Sequence, residues 1–178
     1  MKTIAVFGSG RPSPGSPAYE VARETGRQLA ESGFAVATGG YDGTMSGVSQ
    51  GAAEAGGHVI GVGSRQIERF RPGGLNEWVK EAIMYDTLAD RLLHLVRHND
   101  GMIALPGGIG TLSELALAWS FLQVGEIEKR PFVLIGKTWE TTIQAAFNPD
   151  YIRRKHLGLL QFVATPSEAV TLVANGYK

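Results

Sequence analysis

Short apolar runs alternate with longer amphipathic stretches along the whole chain. The short runs have the length of buried strands, and they predict strands at 4–7, 34–38, 58–62, 82–85, 101–105, 131–135 and 161–164. The stretches between them show helical spacing of apolar residues, and they predict helices at 19–32, 44–55, 87–98, 111–124, 139–147 and 166–174. Asp86 is the expected N-cap of the third helix. Residues 63–80 fit neither pattern, so we expect an irregular segment there.

The order of these elements indicates the fold. Strands and helices alternate throughout, which predicts an α/β protein with a Rossmann-like, doubly wound parallel sheet and helices on both faces. The 178 residues suit a single domain, 1–178, with one hydrophobic core. In such sheets ligands bind beyond the carboxyl ends of the strands, where the strand order reverses.

Three glycine-rich loops follow predicted strands at that edge. Glycine makes up 24 of the 178 residues, well above the usual share of about 7%, and it clusters in these loops. Free N–H groups at a helix start attract anions, and glycine lets the backbone approach a phosphate closely. One such loop is as often a simple turn, but three predict a site for a phosphorylated, nucleotide-like ligand. The candidate phosphate-binding residues are Gly8, Ser9, Gly39, Gly40, Gly43, Thr44, Pro106, Gly107, Gly108, Ile109, Gly110 and Thr111.

The loop from Pro106 to Thr111 is the centre of the predicted site. The hydroxyl of Thr111 is expected to cap the next helix and to donate to a phosphate oxygen. The loops match neither the dinucleotide-binding fingerprint nor the Gly-Lys-Ser/Thr pattern of ATP-hydrolysing proteins. Hydride transfer and ATP hydrolysis are therefore disfavoured.

Two charged residues stand near the predicted loop. Glu114 is expected on the first turn of the following helix, where it either interacts with the helix N-terminus or faces the sugar of a nucleotide. Arg91 lies near the start of the preceding helix, at the same sheet edge, so it is able to approach Glu114. On spacing alone, a surface ion pair of Arg91 with Asp90 or with a residue one turn away is favoured.

Composition limits the partners of the protein. Acidic and basic residues balance at 17 each, which argues against a nucleic-acid or membrane partner. Cysteine is absent, which excludes disulfides and thiolate chemistry. No signal-peptide pattern or membrane-length apolar run occurs. We therefore expect a cytoplasmic protein.

The segment Pro106-Gly107-Gly108-Ile109-Gly110-Thr111-Leu112-Ser113-Glu114 resembles the Pro-Gly-Gly-x-Gly-Thr-x-x-Glu signature of the Lonely Guy family. These proteins are nucleoside 5′-monophosphate phosphoribohydrolases that activate cytokinins. The resemblance runs from about residue 4 to residue 136 and includes the loop at Gly39-Gly40 and residues 55–62. Three stretches depart from the family pattern, namely Leu92 after Arg91, the loop from Tyr41 to Ser46, and the segment from Ser64 to Lys80.

The resemblance implies a function and a set of site residues. It implies that Arg91 and Glu114 are catalytic and that the substrate is a small, AMP-like nucleotide, cleaved to a free base and ribose 5-phosphate. It also implies a homodimer with sites near the subunit interface. A related branch of the same superfamily contains molybdenum-cofactor carriers, which bind a phosphorylated pterin without turning it over. This branch implies the alternative to hydrolysis, namely a carrier of a phosphorylated ligand.

Other candidate chemistry is weaker. Lysine decarboxylation needs pyridoxal phosphate on a lysine, and none of the lysines lies in a glycine-loop context, so we expect no cofactor. His94 and His98 share a helix face but lack a third ligand, so we expect no metal site. Ser120 is a possible substrate contact on the helix of Glu114. The basic residues Arg65, Arg69 and Arg71 are expected on a solvated loop.

Overall fold

A computed structural model describes residues 1–70 and 73–176 of the chain. Strands and helices alternate through this part, as the apolar pattern predicts. The strands are β1 Thr3–Phe7, β2 Ala35–Thr38, β3 Val59–Ser64, β4 Glu81–Tyr85, β5 Gly101–Ala104, β6 Phe132–Ile135 and β7 Gln161–Val163. The helices are α1 Pro17–Glu31, α2 Thr44–Glu54, α3 Arg65–Phe70, α4 Leu88–Arg97, α5 Ile109–Val124, α6 Lys137–Ala146, α7 Arg154–Leu157 and α8 Pro166–Asn175.

The strands form one parallel sheet in the order β4-β3-β2-β1-β5-β6-β7. The chain runs outward from β1 to β4 and then returns to β5, which pairs with β1 from Ile4 opposite Gly101 to Phe7 opposite Ala104. The strand order therefore reverses between β1 and β5. This topology confirms the predicted doubly wound α/β fold and places its ligand-binding crevice at the carboxyl ends of β1 and β5.

Apolar side chains of the sheet pack on both of its faces. Along β1 the side chains alternate, so that Ile4 and Val6 join one buried cluster while Ala5 and Phe7 join the other. Helices α1, α2 and α8 supply residues to the first cluster, and α4, α5 and α6 supply residues to the second. Helices thus cover both faces of the sheet, which explains why the central strands β1, β2, β5 and β6 are almost entirely apolar.

The segment predicted to be irregular contains regular structure. Strand β3 continues to Ser64, and helix α3 follows at once, because the Ser64 hydroxyl accepts a hydrogen bond from the N–H of Ile67 at 3.2 Å. Helix α7 is a second element that the apolar pattern did not predict. Both helices are too short, at six and four residues, to show helical periodicity.

Four predicted helix starts, those of α1, α4, α5 and α6, are wrong by one or two residues. Thr87, not Asp86, is the N-cap of α4, and its hydroxyl accepts a hydrogen bond from the Asp90 N–H at 3.1 Å. Helix α5 begins at Ile109, so Gly108 is its N-cap and Thr111 does not cap the helix. Glu114 consequently lies on the second turn of α5 rather than on the first.

No helix within residues 1–70 and 73–176 is long and apolar enough to cross a membrane.

Candidate active site

The loops after β1 and β2 are joined to one another. The backbone N–H of Thr44 donates to the carbonyl of Ser9 at 2.8 Å, and the Thr44 hydroxyl donates to the same oxygen at 3.2 Å. A Cβ on Gly8 would overlap that hydroxyl, and a Cβ on Gly43 would overlap the Ser9 carbonyl. The two glycines therefore permit the close approach that brings these four predicted residues together.

The loop after β5 has the geometry expected of an anion site. The N-cap of α5 is Gly108, which has no side chain to offer to the N–H groups of the first turn. These groups have no acceptor within the helix, and together with the helix dipole they favour an anion. Helix α5 is 16 residues long, so its dipole is well developed.

Thr111 adds a hydroxyl to this loop. The residue is 2% exposed, and no described residue forms a hydrogen bond with its Oγ1 atom. A Cβ on Gly107 would overlap that atom, so the glycine lets the loop fold over the hydroxyl. A buried polar group without a partner costs free energy. The position of this hydroxyl at the start of α5 suits donation to an anion.

The loop after β2 differs from the loop after β5, because part of it is already hydrogen-bonded. The N–H of Gly40 donates to the Thr38 hydroxyl at 3.0 Å, and the N–H of Thr44 is bound by Ser9 as described. Gly40 and Gly43 have φ angles of 75° and 71°, a conformation that favours glycine. The backbone donors of Gly40 and Thr44 are thus used within the protein.

Arg91 and Glu114 form a buried ion pair between α4 and α5. The Nη1 atom of Arg91 donates to Oε1 of Glu114 at 2.7 Å, and the two side chains are 7% and 6% exposed. The Nε atom of Arg91 donates to the carbonyl of Val62 in β3 at 3.0 Å. The surface ion pair with Asp90 that spacing favours is therefore replaced by a buried pair across 23 positions of the chain.

The electrostatics of the pair are set by burial. Removal from water raises the pKa of the Glu114 carboxyl above its ordinary value, and the charge and hydrogen bond of Arg91 act in the opposite direction. A buried carboxylate with a raised pKa and one defined partner is typical of functional sites. Among the described residues no donor reaches its second oxygen, Oε2.

The ion pair lies beside the glycine loops. Glu114 follows Thr111 by three residues on α5, so both side chains lie on the same face of the helix, and both are buried. A Cβ on Gly39 would overlap Nη2 of Arg91, so the loop after β2 touches the guanidinium directly. The structure thus brings the predicted catalytic pair and the predicted phosphate loops to one place.

Ser120 is the candidate that the structure does not bring to this place. It is exposed and follows Glu114 by six residues, which on a helix is a rotation of about 240° to the opposite face. Its contact with a substrate remains a prediction.

The histidines take up other positions. His94 and His98 stack at 4.4 Å between ring centroids, and His94 Nδ1 is 2.8 Å from the Tyr85 hydroxyl. Burial and the neighbouring His98 lower the pKa of His94. Within the described ranges no three histidine or carboxylate side chains are placed to hold a metal ion.

The basic cluster predicted in the irregular segment is only partly described. Arg65 is exposed and pairs with Asp86 at 3.0 Å, as a solvated side chain does. Arg71 lies outside the described residues.

Two side chains that support the site, those of Asn76 and Tyr41, were not predicted from the sequence. Asn76 lies in the segment without periodicity, and Tyr41 stood out only as a departure from a family pattern. Asn76 Nδ2 donates to the carbonyls of Gly40 and Tyr41 at 2.9 and 3.1 Å. No signal in the sequence marks these contacts, because they join positions about 35 residues apart.

The fold and the site together define a class, that of Rossmann-like α/β proteins with a glycine-rich loop at the topological switch point. Within that class the chain belongs to the SLOG cluster4 family, which it matches over residues 1–152.

Curated relatives confirm the resemblance to the Lonely Guy family. The chain is 31% identical over 134 residues to the cytokinin riboside 5′-monophosphate phosphoribohydrolase of Mycobacterium tuberculosis, an alignment that covers 75% of this chain and 70% of the relative. It is 40% identical over 97 residues to the cytokinin riboside 5′-monophosphate phosphoribohydrolase LOG5 of Arabidopsis thaliana, covering 54% of this chain. The chain spans only 41% of the length of LOG5.

Solved structures share the fold over nearly the whole chain. The molybdenum cofactor binding protein of Rippkaea orientalis has a TM-score of 0.76 and 25% identity, with 98% of this chain and 96% of that chain covered. The molybdenum cofactor carrier protein of Chlamydomonas reinhardtii has a TM-score of 0.71 and 27% identity, with the same coverage.

Proposed function

We propose that this protein is a nucleoside 5′-monophosphate phosphoribohydrolase, which hydrolyses an AMP-like nucleotide to a free base and ribose 5-phosphate. The buried ion pair of Arg91 and Glu114 beside the anion loop carries this proposal. The curated relatives named cytokinin riboside 5′-monophosphate phosphoribohydrolases support it.

The 5′-phosphate would bind at the start of α5. The N–H groups of residues 109–111 and the hydroxyl of Thr111 are the proposed donors, with Gly107, Gly108 and Gly110 keeping the approach free of side chains. The loops of Gly8–Ser9 and Gly39–Thr44 would form the adjoining wall, with their mutual hydrogen bonds keeping its shape.

The reaction breaks the bond between C1′ of the ribose and a nitrogen of the base. The bonding electrons leave with the base, which takes up a proton, and the oxygen of a water molecule forms the new bond to C1′ after losing a proton. Positive charge develops on the ribose in the transition state, as in glycoside hydrolysis. A carboxylate near this positive charge stabilises the transition state and so lowers the barrier. The effect is stronger at a buried position than in bulk water.

Glu114 is the residue proposed for this role. Its Oε1 atom is held by Arg91, while Oε2 is left to stabilise the ribose, to accept from the ribose hydroxyls or to orient the water. Arg91 carries a permanent charge and is therefore a poor general acid. We assign it to holding the carboxylate in place and to electrostatic assistance of the departing base.

Assembly and location form part of the proposal. We infer a homodimer, supported by the outer surface of α5, where Ile109, Leu112 and Val124 are 80, 37 and 70% exposed. Exposed apolar side chains at both ends of one helix suit contact with a second subunit. A cytoplasmic location is supported by the absence of cysteine from the chain.

Incubation of the purified protein with AMP and other nucleoside monophosphates tests the function. Release of ribose 5-phosphate and free base, lost in Glu114→Ala, is the expected result. Absence of release from every monophosphate tried, or equal release by Glu114→Ala, would contradict the proposal.

A second candidate function is that of a carrier of a phosphorylated cofactor. It is favoured by one observation, the match over nearly the full length of both chains to structures of molybdenum cofactor binding and carrier proteins. The same loops would hold the phosphate. Co-purification of a phosphorylated pterin, retained without turnover, would favour the carrier over the hydrolase.

A further inference from the structure

Asn76 is tied to the loop after β2 by several hydrogen bonds. Its side-chain Nδ2 donates to the carbonyls of Gly40 and Tyr41 at 2.9 and 3.1 Å, and its backbone N–H donates to the Gly40 carbonyl at 2.7 Å. The Oδ1 atom accepts from the N–H of Trp78 at 3.2 Å. Both ends of the amide are thus engaged, which defines its orientation.

Tyr41 joins the same loop to strand β3. The side chain is buried, and its hydroxyl accepts from the N–H of Ser64 at 2.9 Å and donates to the carbonyl of Ser64 at 3.1 Å. Burial raises the pKa of the phenol, so the hydroxyl keeps the proton that it donates. Asn76 and Tyr41 therefore hold the loop from two sides.

The held loop forms one wall around the Arg91 guanidinium. Gly39 lies so close to Nη2 that a Cβ would overlap it, and the carbonyl of Val62 in β3 accepts from Nε at 3.0 Å. The remaining side is occupied by Glu114. Tyr41 ties this loop to β3, and Asn76 ties it to the segment that precedes β4. Together they fix the space that the guanidinium occupies.

We infer that Asn76, together with Tyr41, is a positioning residue that keeps the Gly39–Tyr41 backbone in place against β3 and so holds Arg91 in line with Glu114. This inference rests on the proposed hydrolase function for its kinetic consequence. Its structural consequence, an Arg91 that remains paired with Glu114, is independent of that function.

Substitution of Asn76 by alanine tests the inference, with Asn99→Ala as a matched control. Asn99 is a buried amide, and like Asn76, which is partly buried, it donates through Nδ2 to two backbone carbonyls, those of Leu95 and Val96 at 2.9 and 3.0 Å. It lies at the opposite edge of the sheet, before β5. Both variants lose comparable hydrogen bonds, so a purely structural role predicts comparable effects on turnover.

The expected kinetic result distinguishes positioning from stability. Asn76→Ala and Tyr41→Phe are expected to lower kcat for AMP on the order of 10- to 100-fold, because small displacements of a reacting constellation have large effects on rate. Their KM should change far less, because the loop of α5 that binds the phosphate is untouched. Asn99→Ala should keep both constants near those of the wild type.

A second measurement does not depend on turnover. The pKa of Glu114, followed by carbon-13 NMR of its carboxyl group, should rise in Asn76→Ala because Arg91 no longer neutralises it fully, and stay unchanged in Asn99→Ala. An unchanged Glu114 pKa in Asn76→Ala, or equal kcat losses in the two variants, would overturn the inference. A wild-type protein without turnover whose Glu114 pKa still rises in Asn76→Ala would refute the hydrolase function and support the positioning role.

Discussion

Gly39 lies against the guanidinium of Arg91, so closely that a Cβ at position 39 would overlap the Nη2 atom. Gly39→Ala is therefore expected to push Arg91 away from Glu114 and to lower kcat about 100-fold, the size of effect that misplacement produces. Overpacking should also reduce stability by about 1–3 kcal/mol. Steady-state kinetics with AMP and urea unfolding measure the two effects.

Gly57→Ala is the matched control for this substitution. A Cβ there would lie 2.6 Å from the Cβ of Ala30, so the variant is also crowded, but it precedes β3 at the opposite edge of the sheet. We expect a loss of stability without a specific loss of turnover. Equal kcat in the two variants would mean that the contact with Arg91 is not functional.

Glu114→Gln should abolish most turnover while AMP still binds. The amide keeps the shape of the carboxyl but not its charge, so stabilisation of a positive ribose is lost and the rate should fall at least about 100-fold. Steady-state kinetics and calorimetric titration with AMP measure turnover and binding separately.

The exposed pair of Arg97 and Glu126 provides the comparison. Its side chains are 43 and 46% exposed, so Glu126→Gln should cost under about 1 kcal/mol and leave turnover unchanged. Turnover by Glu114→Gln at the wild-type rate would contradict the assignment of the carboxylate.

The raised pKa of Glu114 predicts a dependence of stability on pH. Between the ordinary pKa and the raised one, the folded state binds more protons at this site than the unfolded state does. The stabilising contribution is thus complete below the ordinary pKa and is lost as the pH rises through the raised value. Urea unfolding from pH 4 to 8 should show this decline in the wild type, relative to Glu114→Gln. Parallel curves for the two proteins would show that burial does not raise the pKa.

Thr111→Val should separate stability from ligand binding. The buried hydroxyl bonds to no described residue, so its replacement by a methyl group should leave stability unchanged or slightly higher. The affinity for AMP should fall about 10-fold or more, because a hydrogen bond to a charged phosphate contributes about 1.5–3 kcal/mol. Calorimetric titration with AMP and thermal unfolding measure the two quantities.

Thr25→Val is the control for Thr111→Val. The Thr25 hydroxyl is equally buried but donates to the carbonyl of Val21 at 2.8 Å. We expect this variant to lose stability and to bind AMP as the wild type does. If Thr111→Val bound AMP normally, the hydroxyl would have no role in phosphate binding.

Gly110→Ala should fold at least as well as the wild type. No atom lies within 4 Å of a Cβ built at this position, and alanine is favoured over glycine in a helix by about 0.5–1 kcal/mol. The added methyl group would nevertheless stand beside the proposed phosphate, so the affinity for AMP should fall. Gly158→Ala, with neighbours no closer than 3.6 Å, should keep the affinity. Full affinity in Gly110→Ala would place the phosphate elsewhere.

Much of the fold follows from local pattern. The apolar runs predicted all seven strands to within one or two residues. The signal is strongest in the central strands, because strands buried on both faces must be apolar over their whole length. The longer helices were predicted from a different local pattern, the helical spacing of their apolar residues. Elements of six and four residues, α3 and α7, were missed because they are shorter than two helical turns.

The glycine-rich loops of the site were also predicted from the sequence. A glycine cluster after a strand is a local feature, and the parallel alternation of elements assigns each cluster to the same edge of the sheet. Arg91 and Glu114 were both candidates from the sequence. Their pairing was not favoured, because spacing along the chain favoured a surface ion pair of Arg91 with Asp90 or with a residue one turn away.

Contacts between distant positions required the tertiary structure. The strand order places β1 beside β2 and β2 beside β3, and the packing of α4 on this sheet brings Arg91 to Gly39. These arrangements join Ser9 to Thr44 and Asn76 to Gly40. Burial of Arg91 and Glu114, which raises the pKa of the carboxyl, depends on how α4 and α5 pack on the sheet. Local sequence encodes hydrophobic period and turn chemistry, whereas desolvation and long-range hydrogen bonds arise only when separate elements pack together.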